Sequence, residues 1–253
     1  MTFIDTHAHL DLCGQSIEQL IENANIAGVE HIIQIATDFE GSKTALDLSH
    51  NHSQISATAG IHPLYSQGFQ DIDSLEEWAR DYSDDIVAIG EAGLDYKYDD
   101  VDKAEQHVVF ERQLQLAESL QKPIVIHNRL ADEDTISMMN NFPNVSMVLH
   151  CFMGSMSFLE KITVEDLMIS FTGIITRHDK GKLVQVIKEW PLDKIMIETD
   201  CPYLTPKEHS GQENQPAFVP AVAEKIAIEK DLSIAEVAEA STQNAINFFG
   251  LDI

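Results

Sequence analysis

The residues able to do chemistry are concentrated where apolar runs end. His7 and His9 close the first such run, His62 the third, Glu91 the fourth, His127 the fifth, His150 the sixth and Asp200 the eighth. His7 and His9 are spaced i and i+2. On a helix their rings would diverge by about 200°, whereas on a strand they share one face roughly 6.5 Å apart. Two imidazoles so placed can converge on one cation. Taken alone, the pair is equally compatible with two polar residues on a half-exposed strand. A single histidine ending a strand is also more often structural than a ligand. Five histidines and two carboxylates at the ends of six of the eight strands point instead to a metal site. The remaining histidines (His31, His50, His52, His107, His178 and His209) fall at strand starts, on helices or in loops and read as surface or packing residues.

The elements that must position these side chains follow from periodicity. Strand-length apolar runs cover residues 3–10, 29–36, 55–62, 86–92, 123–127, 146–152, 166–172 and 194–200. Between and after them, helical patterns occupy 16–27, 46–52, 74–82, 103–121, 133–141, 156–162, 182–190, 219–230 and 233–249. Ser16 and Ser233 are N-caps, and Gly28 and Gly250 are stops. Strands that are apolar without alternating suit a parallel sheet covered on both faces. Eight strand–helix units in 253 residues predict a single (β/α)8 TIM-barrel domain spanning 1–253, with the strand tips gathered at one mouth. An open doubly wound sheet is the alternative, but no Gly-rich phosphate turn follows the first strand.

Composition limits the function. A hydrophobic content of 44% supports a large core. No stretch approaches the roughly 20 apolar residues that span a bilayer, and no basic and apolar leader opens the chain. Cys13, Cys151 and Cys201 form no CxxC, which suits the reducing cytoplasm. The formal charge of −26 repels polyanions, so nucleic acid held by a broad basic footprint is excluded. Lys97, Arg129, Arg177, Lys180 and Lys207 lie in loops after strands and relieve this only locally.

Six motifs in order carry a specific resemblance: DTHAHLD (5–11), GIHP (60–63), GEAGLDY (90–96), PIVIHNR (123–129), HCFMGS (150–155) and ETDCPYLTP (198–206). Gln106, Phe110, Gln113 and the closing NAINFFG add to them. From residue 2 to about residue 251 the chain resembles the TatD family of metal-dependent hydrolases, within the amidohydrolase-like barrels. The resemblance implies a cytoplasmic, monomeric deoxyribonuclease that uses two divalent metal ions. It implies metal ligands at His7, His9, Glu91, His127, His150 and Asp200, with Glu91 reaching both ions. Such mixed nitrogen and oxygen donors suit Zn2+ or Mn2+, with Mg2+ usable in assays.

The mechanism so implied is attack on a phosphodiester by a hydroxide bridging both ions, with Asp200 as general base. Arg129 would clamp a phosphate oxygen. His62 would act as a substrate-side donor or leaving-group acid, packing beneath the mouth being the alternative. Glu198, sharing a strand face with Asp200, would support the ligands. DNA, weakly bound and entered through short or single-stranded ends, is the expected partner, with no membrane. Two departures from the family pattern stand out. Ser210-Gly211 and Asn214-Gln215-Pro216 replace Arg-Gly and Asn-Glu-Pro, and Ala92 replaces isoleucine. The competing activity is a lactonase or aminoacyl-tRNA deacylase. Many such barrels bridge their metals with a carboxylated lysine, and no strand tip here offers a lysine.

Overall fold

The structure, a computed structural model, describes residues 1–66 and 70–253. In chain order the elements are β1 (Phe3–Ala8), α1 (Ile17–Ile26), β2 (Val29–Gln34), α2 (Phe39–Asn51), β3 (Ile55–Ala59), α3 (Gln70–Asp81), β4 (Ile86–Asp95) and α4 (Lys103–Leu120). They continue as β5 (Ile124–Arg129), α5 (Asp132–Met139), β6 (Met147–Leu149), α6 (Met156–Leu159), β7 (Leu167–Phe171), α7 (Lys182–Glu189), β8 (Ile195–Ile197), α8 (Val219–Lys230) and α9 (Ile234–Phe249). The eight strands form one sheet in chain order, and the described pairings are parallel. Beyond β8 the chain returns to β1: Asp200 N–H donates to His7 O (2.8 Å) and His9 N–H to Cys201 O (2.9 Å). Consecutive parallel strands with helical crossovers and a last segment paired to the first make the (β/α)8 barrel that the pattern predicted.

The chain divides into two compact units. The first holds Met1–Gln34, Cys151–Leu159 and Ile169–Ile253. Two of its helices start at side-chain caps: the Ser16 hydroxyl accepts from Gln19 N–H, and Ser233 and Glu236 form a reciprocal capping box. α9 packs on β1 and β8 and is pinned there by Asn244, whose amide donates to Leu192 O (2.9 Å) and Ile195 O (2.7 Å). β1 is buried along its whole length, which places Asp5 and His7 inside the protein.

The second unit holds Ile35–His150 and Glu160–Met168. Two glutamines of α4 fix the strand ends that bear chemistry. Gln113 bonds both Ile61 N–H (2.8 Å) and Ile61 O (2.9 Å), immediately before His62. Gln106 does the same for the backbone of Asp95 (2.9 and 3.1 Å). Both side chains are buried, so removing either would strand backbone groups at roughly 1–3 kcal/mol each. Gly93 allows β4 to approach β5: at φ +142°, a Cβ there would sit 2.0 Å from His127 O.

Several bounds differ from those predicted, for local reasons. α2 begins at Phe39 rather than at residue 46, because Asp38 caps it by accepting from Gly41 N–H (2.7 Å). β4 continues past residue 92 to Asp95, since Gly93 permits a close strand approach rather than ending the strand. β8 ends at Ile197, so Glu198 and Asp200 do not share a strand face as expected; Asp200 takes the left-handed conformation at φ 56°. No helix among the described residues is long and apolar enough to cross a membrane.

Candidate metal centre

In the first unit, His7 and His9 present their Nε2 atoms to each other at 3.2 Å, with the rings 79° apart. Asp200 Oδ1 lies 3.7 Å from His7 Nε2 and 3.4 Å from His9 Nε2. Backbone contacts place the aspartate, because its own N–H is spent on His7 O and its O accepts from Tyr203 N–H (2.9 Å). Asp5, to which the sequence reading gave no role, supports this segment. Its carboxylate accepts from Thr199 N–H (2.8 Å) and the Thr199 hydroxyl (2.5 Å). Burial pushes the Asp5 carboxyl up to about 7 against the pull of those Thr199 hydrogen bonds. The readable signal for Asp5 was its i−2 spacing from His7.

Glu198 is buried and accepts from Cys151 N–H (2.7 Å) and from the Ser170 hydroxyl. It therefore ties the segment after β6 to β7 and to the end of β8.

In the second unit, one oxygen collects the histidines. Glu91 Oε1 lies 2.8 Å from His127 Nδ1 and 2.8 Å from His150 Nε2, and those nitrogens are 3.3 Å apart. His62 Nε2 approaches the same oxygen at 3.7 Å. Burial works to raise the Glu91 carboxyl, but the charges of His150 and His62 and hydrogen bonds from His127 and His150 hold it well below its ordinary range. The far nitrogen of His127, Nε2, meets Asp95 Oδ2 at 3.1 Å. Burial works to lower His127, and the hydrogen bonds of Asp95 and Glu91 more than offset it. Asp95 was also missed, although it stands in GEAGLDY at even spacing from Glu91. An orienting carboxylate on the outward nitrogen is what ligand histidines commonly carry.

His62 Nδ1 accepts from Leu64 N–H at 3.1 Å, which leaves the proton of the neutral ring on Nε2, facing Glu91. Burial presses its pKa down to about 4, against the attraction of Glu91. Arg129 ends β5 with its side chain 47% exposed and Nη1 4.0 Å from Asp95 Oδ2. Of the histidines set aside, His31 is buried in β2, His209 stacks on Phe218 (3.8 Å, 2°), and His178 is partly exposed.

All six expected ligands thus lie in compact groups, His7, His9 and Asp200 in one unit and Glu91, His127 and His150 in the other. Imidazole nitrogens and carboxylate oxygens turned toward one another inside a protein form a donor set that fits a divalent cation.

Comparison with known proteins agrees with this chemistry. The sequence model of the family described as TatD related DNase matches residues 4–250. The chain is 36% identical to YabD of Bacillus subtilis, an uncharacterized metal-dependent hydrolase, over 98% of this chain and 99% of that one. It is 31% identical to a protein of Erwinia tasmaniensis named a 3'-5' ssDNA/RNA exonuclease, over 92% of this chain and 93% of that one. Among solved structures, the TatD homolog YJJV of Escherichia coli superimposes with a TM-score of 0.92 at 29% identity, covering 98% of each chain.

Proposed function

Since the chain belongs to the TatD family of metal-dependent hydrolases, we propose that it is a deoxyribonuclease that removes nucleotides from single-stranded ends. The observation that carries the reading is the presence of a buried histidine–carboxylate group in each unit. His7, His9 and Asp200 would hold one divalent ion, and Glu91, His127 and His150 a second, with Zn2+ or Mn2+ favoured by the nitrogen donors. Such ions, when bound, supply an activated water and neutralise charge that builds on phosphorus.

The chain's own groups do the rest. Asp200 Oδ1 takes a proton from the attacking water. Asp95 keeps His127 turned so that Nδ1 faces inward. A neutral His62 with its proton on Nε2 suits a hydrogen-bond donor to substrate better than a leaving-group acid, because its depressed pKa leaves it uncharged near neutrality. Arg129, about half exposed beyond the ligand His127, is available to a phosphate oxygen. The relative named as an exonuclease supports the nuclease reading over the ester and amide alternatives. A substrate panel tests it: single- and double-stranded DNA, RNA, aminoacyl-tRNA and simple lactones, each with Zn2+, Mn2+ and Mg2+. Nucleotide release from single-stranded DNA is expected. Turnover of a lactone or aminoacyl ester without any nucleotide release would overturn the proposal.

A further inference from the structure

One exposed aromatic stands beside the candidate ligands. Tyr203 is 54% exposed, yet its backbone is held firmly. Its N–H donates to Asp200 O (2.9 Å) and its own O accepts the Asn214 amide (2.5 Å). Asn214 is completely buried and also bonds Thr199 O (2.8 Å), so the turn carrying Asp200 and the turn carrying Tyr203 are built as one piece. The Tyr203 ring stands 6.4 Å from the His9 ring, inclined by 66°. The segment that follows is equally braced. A Cβ on Gly173 would fall 2.5 Å from Leu204 O, and the Arg177 guanidinium bonds Thr205 O (2.9 Å) and Ser210 Oγ (3.1 Å). Lys207 N–H bonds the Thr176 hydroxyl (2.8 Å). Arg177 and Lys207 are exposed on this ledge, opposed by Glu208 and by Glu213, the latter engaged with Gly14 N–H (2.9 Å).

Resting on the nuclease reading above, we propose that this ledge is a polynucleotide subsite: Tyr203 stacks a base of a single strand while Arg177 and Lys207 meet its phosphates. A rigid aromatic plus a few cations is the combination by which single strands are held without sequence preference. Bases paired inside a duplex do not offer their faces, so the subsite favours unpaired ends. It also reconciles substrate binding with a charge of −26, because stacking does not depend on net charge. Stacking supplies grip where electrostatics cannot.

The test measures binding apart from turnover. A fluorescein-labelled single-stranded oligonucleotide, and versions with an abasic site at each position in turn, are titrated with metal-free protein and read by anisotropy. Tyr203→Ala should weaken binding about tenfold and Tyr203→Phe should bind like wild type, in line with a stacking contribution of ~1–3 kcal/mol per base. One abasic position should weaken wild type but leave Tyr203→Ala unaffected. Arg177→Gln should lower affinity for every version and flatten the salt dependence by about one unit of slope. Tyr203→Ala binding as tightly as wild type, or no abasic position depending on Tyr203, overturns the subsite. The metal-loaded wild type is assayed on the same oligonucleotide. Cleavage together with a silent Tyr203 leaves the nuclease reading standing and removes only the subsite, whereas absence of cleavage in all metals removes the nuclease reading itself.

Discussion

The two groups of candidate ligands are built by different means. Around Glu91 the organisation is in the side chains: one carboxylate oxygen lies 2.8 Å from two imidazoles, and a second carboxylate, Asp95, fixes His127 from behind. Around Asp200 it is in the backbone. The aspartate stands 3.4–3.7 Å from its histidines and is aimed by a left-handed residue, two main-chain hydrogen bonds and the buried Asp5–Thr199 clamp. The Glu91 group is held together by its own hydrogen bonds and opposite charges. The Asp200 group presents a more open carboxylate, 14% exposed against 4% for Glu91.

This contrast can be broken, starting where the effect is largest. Glu91→Gln removes the charge that gathers three histidines and should reduce hydrolysis by at least on the order of 10^3-fold. The circular dichroism spectrum should be retained; an active variant in steady-state assays would show that Glu91 is not a ligand. Asp95→Asn should keep the fold and weaken one divalent ion by roughly 10–100-fold, read by calorimetric titration. Thr199→Val removes one of the two Thr199 hydrogen bonds to Asp5 and leaves the buried carboxylate short of a partner. Urea unfolding should show a loss of roughly 1–3 kcal/mol. The same substitution in a purely side-chain-organised site would change metal affinity and not stability.

The last effect, seen only as pH falls, concerns a histidine outside both groups. Burial presses His31 down to about 4 from 6.5. Below about 6.5 the unfolded chain takes up a proton that the folded chain refuses until about 4. Stability contributed by the neutral ring is therefore complete above that window and lost as pH falls through it. Between about pH 7 and pH 5, wild type should lose on the order of 2 kcal/mol more than His31→Gln. Parallel urea curves for the two proteins would refute this.

How much of this was legible beforehand differs between the same two groups. The histidines and Glu91 end apolar runs, so strand order alone placed them at tips. Asp200 was singled out as a candidate ligand but not as a turn, because an apolar run shows where a strand can lie and not where its hydrogen bonds stop; β8 ends at Ile197. Asp5 and Asp95 were hidden for a related reason. Asp5 lies inside β1 and Asp95 closes β4 beyond the apolar run, and the partner of each, Thr199 or His127, is remote in sequence. The early start of α2 was masked by Gly41 and Ser42, which weaken a helical pattern that Asp38 nonetheless caps. The fourth apolar run ends at residue 92, although Gly93 is what lets β4 run on against β5.

Metal stoichiometry tests the central claim most directly. Protein purified without chelator, reloaded with zinc or manganese and desalted, is analysed by plasma emission alongside His9→Asn and His127→Asn. The wild type should carry two equivalents per chain and each variant about one. A wild type that retains no divalent metal, or variants that retain as much as it does, would contradict the assignment of one ion to each group.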